Sequence, residues 1–80
     1  MEKRIGNAMI LVKPDSPHIR ELNNLLSDFS FLIHSRQGVS FKERDLNIIV
    51  IIFEGEMNAI NTLAGKIGRL QGIKIKVTLI

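Results

Sequence analysis

The chain has 80 residues, enough for one small domain, and no cysteine, which excludes disulfides, Cys-ligated zinc, iron–sulfur ligation and thiol catalysis. Eleven Lys and Arg against eight Asp and Glu leave a net charge of +3, too mild an excess to specify a partner. No apolar run reaches the roughly 18–20 residues of a membrane-spanning helix, and the charged start Glu2-Lys3-Arg4 lacks a signal peptide's apolar run and cleavage site, so the expected location is cytoplasmic.

Residues 3–12 (KRIGNAMILV) read as a strand. Both of its parities are mostly apolar or small. Pro14 and Pro17 break it, Ser16 suits a helix cap, and Pro17 suits the first helical position. Ile19, Leu22, Leu25, Leu26 and Phe29 then recur at helical spacing and predict a helix of about 13 residues. A second strand is expected at 31–37. A loop of about eight residues should follow, containing Gly38, Lys42, Glu43, Arg44 and Asp45. Residues 46–53 (LNIIVIIF) are the most apolar stretch. Strand length and β-branching settle their conformation.

Met57, Ile60, Leu63, Ala64, Ile67 and Leu70 mark a second helix, with Gly72 as its expected stop. Residues 73–80 alternate apolar positions with Lys74, Lys76 and Thr78, the pattern of a lysine-protected edge strand. The order β-α-β-β-α-β predicts an α+β ferredoxin-like sandwich over residues 1–80. It has one four-stranded antiparallel sheet with both helices on one face. Right-handed crossovers put the first and third strands in the middle.

One pattern conflicts with a solitary copy. A sheet with one wet face should alternate apolar and polar residues. The third strand instead carries Ile48, Val50 and Ile52 on one parity and Ile49, Ile51 and Phe53 on the other. Leaving three such side chains in water forgoes about 1.5–3 kcal/mol each. The expected remedy is a homo-oligomer, a dimer or tetramer, packed through that face. Its expected interface residues are Asn7, Ile49, Ile51 and Phe53. Asn7 sits mid-strand among apolar neighbours and would need a partner for its amide if buried.

Chemistry-bearing residues are sparse. His18 and His34 have no second His or Cys at ligand spacing, so no metal or other cofactor is expected. No nucleophile–base order and no paired carboxylates appear, so the chain is not expected to be an enzyme. Gly65-Lys66-Ile67-Gly68 falls inside a helical pattern, where close packing against the sheet or a partner helix is the expected use. Lys13, Asp15 and Ser16 precede the first helix, whose free N-terminus attracts anions. With Arg36 they are the expected ligand-binding residues. Arg36, Lys42 and Arg44 are a basic alternative for nucleic acid. That alternative is disfavoured, because Phe53 is the only aromatic on a central strand.

Three segments carry a resemblance: Ser35-Arg36-Gln37-Gly38, Asn47-Ile48-Ile49-Val50-Ile51, and Thr62 through Ile73 (TLAGKIGRLQGI). In these the chain resembles the family of small iron-only hydrogenase system regulators over nearly its whole length. The resemblance implies an ACT-like ferredoxin fold, similar in shape to the C-terminal domain of the nickel-responsive repressor. It also implies a regulatory or sensing role tied to iron-only hydrogenase maturation. That repressor's nickel site needs several His and a Cys, which this chain lacks. The expected function is a small oligomeric regulatory domain that binds an effector or protein partner at a subunit interface.

Overall fold

In the computed structural model, which describes residues 2–80, the elements follow the predicted order. They are β1 (Arg4–Val12), α1 (Ile19–Asp28), β2 (Ile33–Phe41), β3 (Leu46–Gly55), α2 (Met57–Gly68) and β4 (Ile73–Leu79). Single 3-10 turns, Ser30–Leu32 and Lys42–Arg44, lead into and out of β2. The four strands form one antiparallel sheet in the order β2-β3-β1-β4, a ferredoxin-like α+β fold.

The core lies on one side of this sheet. Ala8, Ile10 and Val12 of β1 and Ile51 and Phe53 of β3 are buried there. They meet Leu22 and Leu26 of α1, Ile60, Leu63 and Ile67 of α2, and Ile73 of β4. The helix spacings of four, three and four residues set each apolar stripe on one face, as an amphipathic helix requires. Both helices therefore cover the same side, and alternate strand residues face away from them.

Two glycines let layers approach closely. A side chain at Gly6 would collide with the Thr78 carbonyl across the β1–β4 ladder. One at Gly55 would collide with Leu32. The exposed Gly65 has open space around its Cβ position, and at Gly68 a Cβ would make only ordinary contact, 3.8 Å, with Ile75. Packing within the chain therefore does not explain this glycine pair, contrary to the sheet-packing expectation.

Of the boundaries that differ from expectation, four have a local reason. β2 begins at Ile33, because Phe31 and Leu32 are taken into a 3-10 turn that buries Leu32. It continues to Phe41, because Gly38, Val39, Ser40 and Phe41 stay in the ladder opposite Ile49, Ile48, Asn47 and Leu46. The expected eight-residue loop thus contracts to a hairpin turn closed by Asp45 at φ 54°. Asp tolerates that left-handed conformation.

α1 has 10 residues and starts at Ile19, with His18 rather than Ser16 at its N-cap. The Ser16 hydroxyl accepts the His18 N–H at 3.2 Å, a bond over two residues that holds the loop instead of capping the helix. α2 ends at Gly68, and Gly72 (φ +80°) serves the turn into β4.

Candidate functional site

Directly opposed residues in a ladder point to the same face, so the register sorts the two sides of the sheet. On the side away from the helices, three complete rows cross all four strands. They are Ser35–Ile52–Asn7–Thr78, Gln37–Val50–Met9–Lys76 and Val39–Ile48–Leu11–Lys74. Phe41 lies beside Leu46 at one end, and Ile5 beside Glu54 at the other. The middle two columns are apolar except for Asn7 and Glu54. Ile5, Met9 and Ile52 are about half exposed, at 48%, 53% and 48%. Lysines border this band on β4, and small or neutral residues border it on β2.

The two-sided apolar pattern of β3 is real, but the expected interface set mixes the two sides. Ile51 and Phe53 are 0% and 2% exposed, buried beneath the chain's own helices, and Ile49 packs against that core. The cause is register. Ile51 opposes Ala8 and Phe53 opposes Gly6, both on the helix side. Asn7 opposes Ile52 and lies exposed on the open face. Its side chain is thus not the buried amide that its neighbours in sequence suggested.

A second region lies where β1 leaves the sheet and β4 enters it. The Lys13 N–H donates to the Gly72 carbonyl at 3.0 Å, and the Ser16 N–H to the Lys13 carbonyl at 2.9 Å. The Ser16 hydroxyl donates to the Gln71 carbonyl at 2.7 Å. These bonds tie the β1–α1 loop to the α2–β4 turn around a cavity of about 430 Å³. Lys13, Asp15, Ser16, Gly72 and Lys74 are among its walls. The structure therefore brings together three of the four expected ligand residues.

Arg36 lies apart from that cavity. Its guanidinium donates to Asn23 Oδ1 on α1 at 2.9 Å, on the helix side of the edge strand. Sequence reading missed Lys74 and the Gly72 turn as walls. The signal was present in the left-handed preference of a glycine directly before a strand. It also missed an apolar groove of about 330 Å³ between α1 and β2, lined by Val12, Ile19, Leu22, Gly38 and Ile49 among others. The groove exists because β2 turns Arg36, Gly38 and Ser40 toward the helix side, too small or too polar to fill it.

The histidines pair with carboxylates. His18 Nδ1 is 2.7 Å from Glu21 Oε1, and His34 Nε2, at a bulge in β2, is 3.3 Å from Glu54 Oε1. Among the described residues no three His, Asp or Glu side chains gather as metal ligands, and no helix is long and apolar enough to cross a membrane. Lys42 and Arg44 sit in the hairpin turn with Glu43 and Asp45, so the charges there balance.

A family model described as "TM1266-like: Iron-only hydrogenase system regulator, putative" matches residues 4–77. Among solved structures the chain is similar to one described as uncharacterized protein TM1266 from Thermotoga maritima. The two are 30% identical, 99% of each chain is covered, and the TM-score is 0.94. No curated protein matches. With the match spanning nearly every strand and helix, the chain belongs to the TM1266-like family of iron-only hydrogenase system regulators.

Proposed function

We propose that this chain is a regulatory module of an iron-only hydrogenase system and works by assembly rather than by catalysis. Copies associate through the open face of the sheet, and an effector or protein partner bound near that interface shifts the assembly. The observation that carries this reading is the continuous apolar band of Ile5, Met9, Leu11, Ile48, Val50 and Ile52 on the side the helices leave bare. Flat apolar surfaces of this kind mark interaction sites. This band, with Asn7 beside Ile52, replaces Ile49, Ile51 and Phe53 as the interface.

The effector reading rests on the cavity walled by Lys13, Asp15, Ser16 and Lys74. Two lysines against one aspartate favour a small molecule with an acidic group. Ser16 contributes mainly by fixing the loop, since its hydroxyl is already bonded on both sides. Arg36 joins only where another copy carries it to the cavity. Regulation follows if the effector binds one packing arrangement more tightly than another.

Sedimentation velocity from submicromolar to hundred-micromolar protein is the test. A concentration-dependent rise above the 9.0 kDa monomer is expected. Calorimetric titration with acidic amino acids and nucleotides then examines the effector, which should bind and move the association midpoint. A chain that stays monomeric throughout overturns the assembly reading. Assembly without any ligand heat leaves a protein partner as the input.

A further inference from the structure

The reading of self-association leaves open how two copies meet, and the rows of the open face decide it. The chain exposes 5553 Å². An average folded monomer of 9.0 kDa exposes about 4,900 Å². That surplus of about 650 Å² belongs to the whole surface, but the open face itself, four strands about 4.8 Å apart and about 30 Å long, has a footprint of roughly 570 Å², comparable with the ~800 Å² that each partner gives to a standard interface. A second copy of the same face is therefore an occupant of the right size.

Two aligned arrangements place open face on open face about a two-fold axis. If the axis lies in the interface across the strands, each strand crosses its own counterpart. β4 then lies over β4 of the second copy with its rows reversed, so with the sheets centred Lys76 faces Lys76 and Lys74 faces Thr78, and like charges across an interface are penalised. If the axis runs along the strands, the column order reverses while each row stays over itself. β4 then lies over β2 of the second copy. The middle row, Gln37–Val50–Met9–Lys76, meets its own reverse. Met9 sits on Val50, and the Lys76 ammonium meets the Gln37 amide oxygen. In the neighbouring rows Lys74 covers Val39 with its apolar stem, and Thr78 meets Ser35.

We propose that two copies stack sheet to sheet about a two-fold axis running along the strands, with Lys76 of each over Gln37 of the other. This rests on the assembly reading above and assigns its geometry. Sheets packed this way cross at about 30°, so the row match is closest at the centre, where Met9, Val50 and the Lys76–Gln37 pair lie.

A charge cycle tests the arrangement, because the two positions cannot interact within one chain. They lie on opposite edges of the sheet, three strand spacings or about 14 Å apart. That exceeds the screening length of about 8 Å at physiological salt. Both are exposed, so substitution leaves the core intact.

Gln37→Lys is expected to weaken the dimer about tenfold, since symmetry repeats the clash twice and each exposed charge pair is modest. Adding Lys76→Glu to Gln37→Lys should restore or exceed wild-type affinity, and 0.5 M salt should shrink both effects. Dissociation constants come from sedimentation equilibrium, with circular dichroism to verify folding. A wild-type dimer whose variants show no coupling between positions 37 and 76 overturns this geometry while leaving self-association standing. A wild-type chain that remains monomeric overturns both.

Discussion

Residues 51 and 52 are both isoleucine, adjacent in the chain, and nearly opposite in fate. Ile51 is 0% exposed between sheet and helices, whereas Ile52 is 48% exposed on the bare side. The same contrast runs along β1, where Ala8 and Ile10 are buried and Asn7 and Met9 are not. On β3 composition treats the two sides alike, and covering separates them. The helix side is a folding core. The bare side carries an apolar band down its middle strands without a core's burial. The lesson is that hydrophobicity on one side of this sheet serves the fold, and on the other the chain's own elements leave it uncovered.

The largest effect that would break this contrast belongs to Ile51→Ala. Removing a fully enclosed side chain should cost about 2–5 kcal/mol, read by urea unfolding, most of the stability of so small a domain. Gly6→Ala comes next, at about 1–3 kcal/mol, because the added methyl would press on the Thr78 backbone, which cannot swing aside. Gly65→Ala runs the other way. With open space at its Cβ and a helix on both sides, it should gain about 1 kcal/mol in thermal unfolding. A loss there would point to a close contact from outside the chain. Ile52→Ala should be smallest at dilutions where copies are apart, within about 0.5 kcal/mol, as for an ordinary surface position. A cost at position 52 rivaling that at position 51 would erase the distinction between the sides.

Much of the architecture was legible in the residues. The helical spacing from Ile19 to Phe29, the β-branched run at 46–53 and the alternation of β4 each had one reading. The order of elements then selected the topology. The choice of side on β3 was not legible, because both parities are equally apolar and only the pairing with β1 breaks the tie. Asn7 opposite Ile52, and Ala8 opposite Ile51, settle it. The end of β2 was hidden for a related reason. Gly38 and Ser40 read as loop residues, yet an edge strand needs only its backbone to stay in a ladder. Within the candidate cavity, Lys13, Asp15 and Ser16 were found because they abut a helix start. Lys74 was missed because it comes from about sixty positions further along and joins them through a turn.

The bonds from Ser16 to Gln71 and from Lys13 to Gly72 have a mechanical consequence. They fasten the entrance of the first helix to the root of β4, so a molecule wedged between them would lean directly on the strand that bears Lys74 and Lys76. Occupancy and pairing would then be written into one lever. By reciprocity, whatever such a guest does to the affinity between copies, crowding the copies must do to the affinity for the guest.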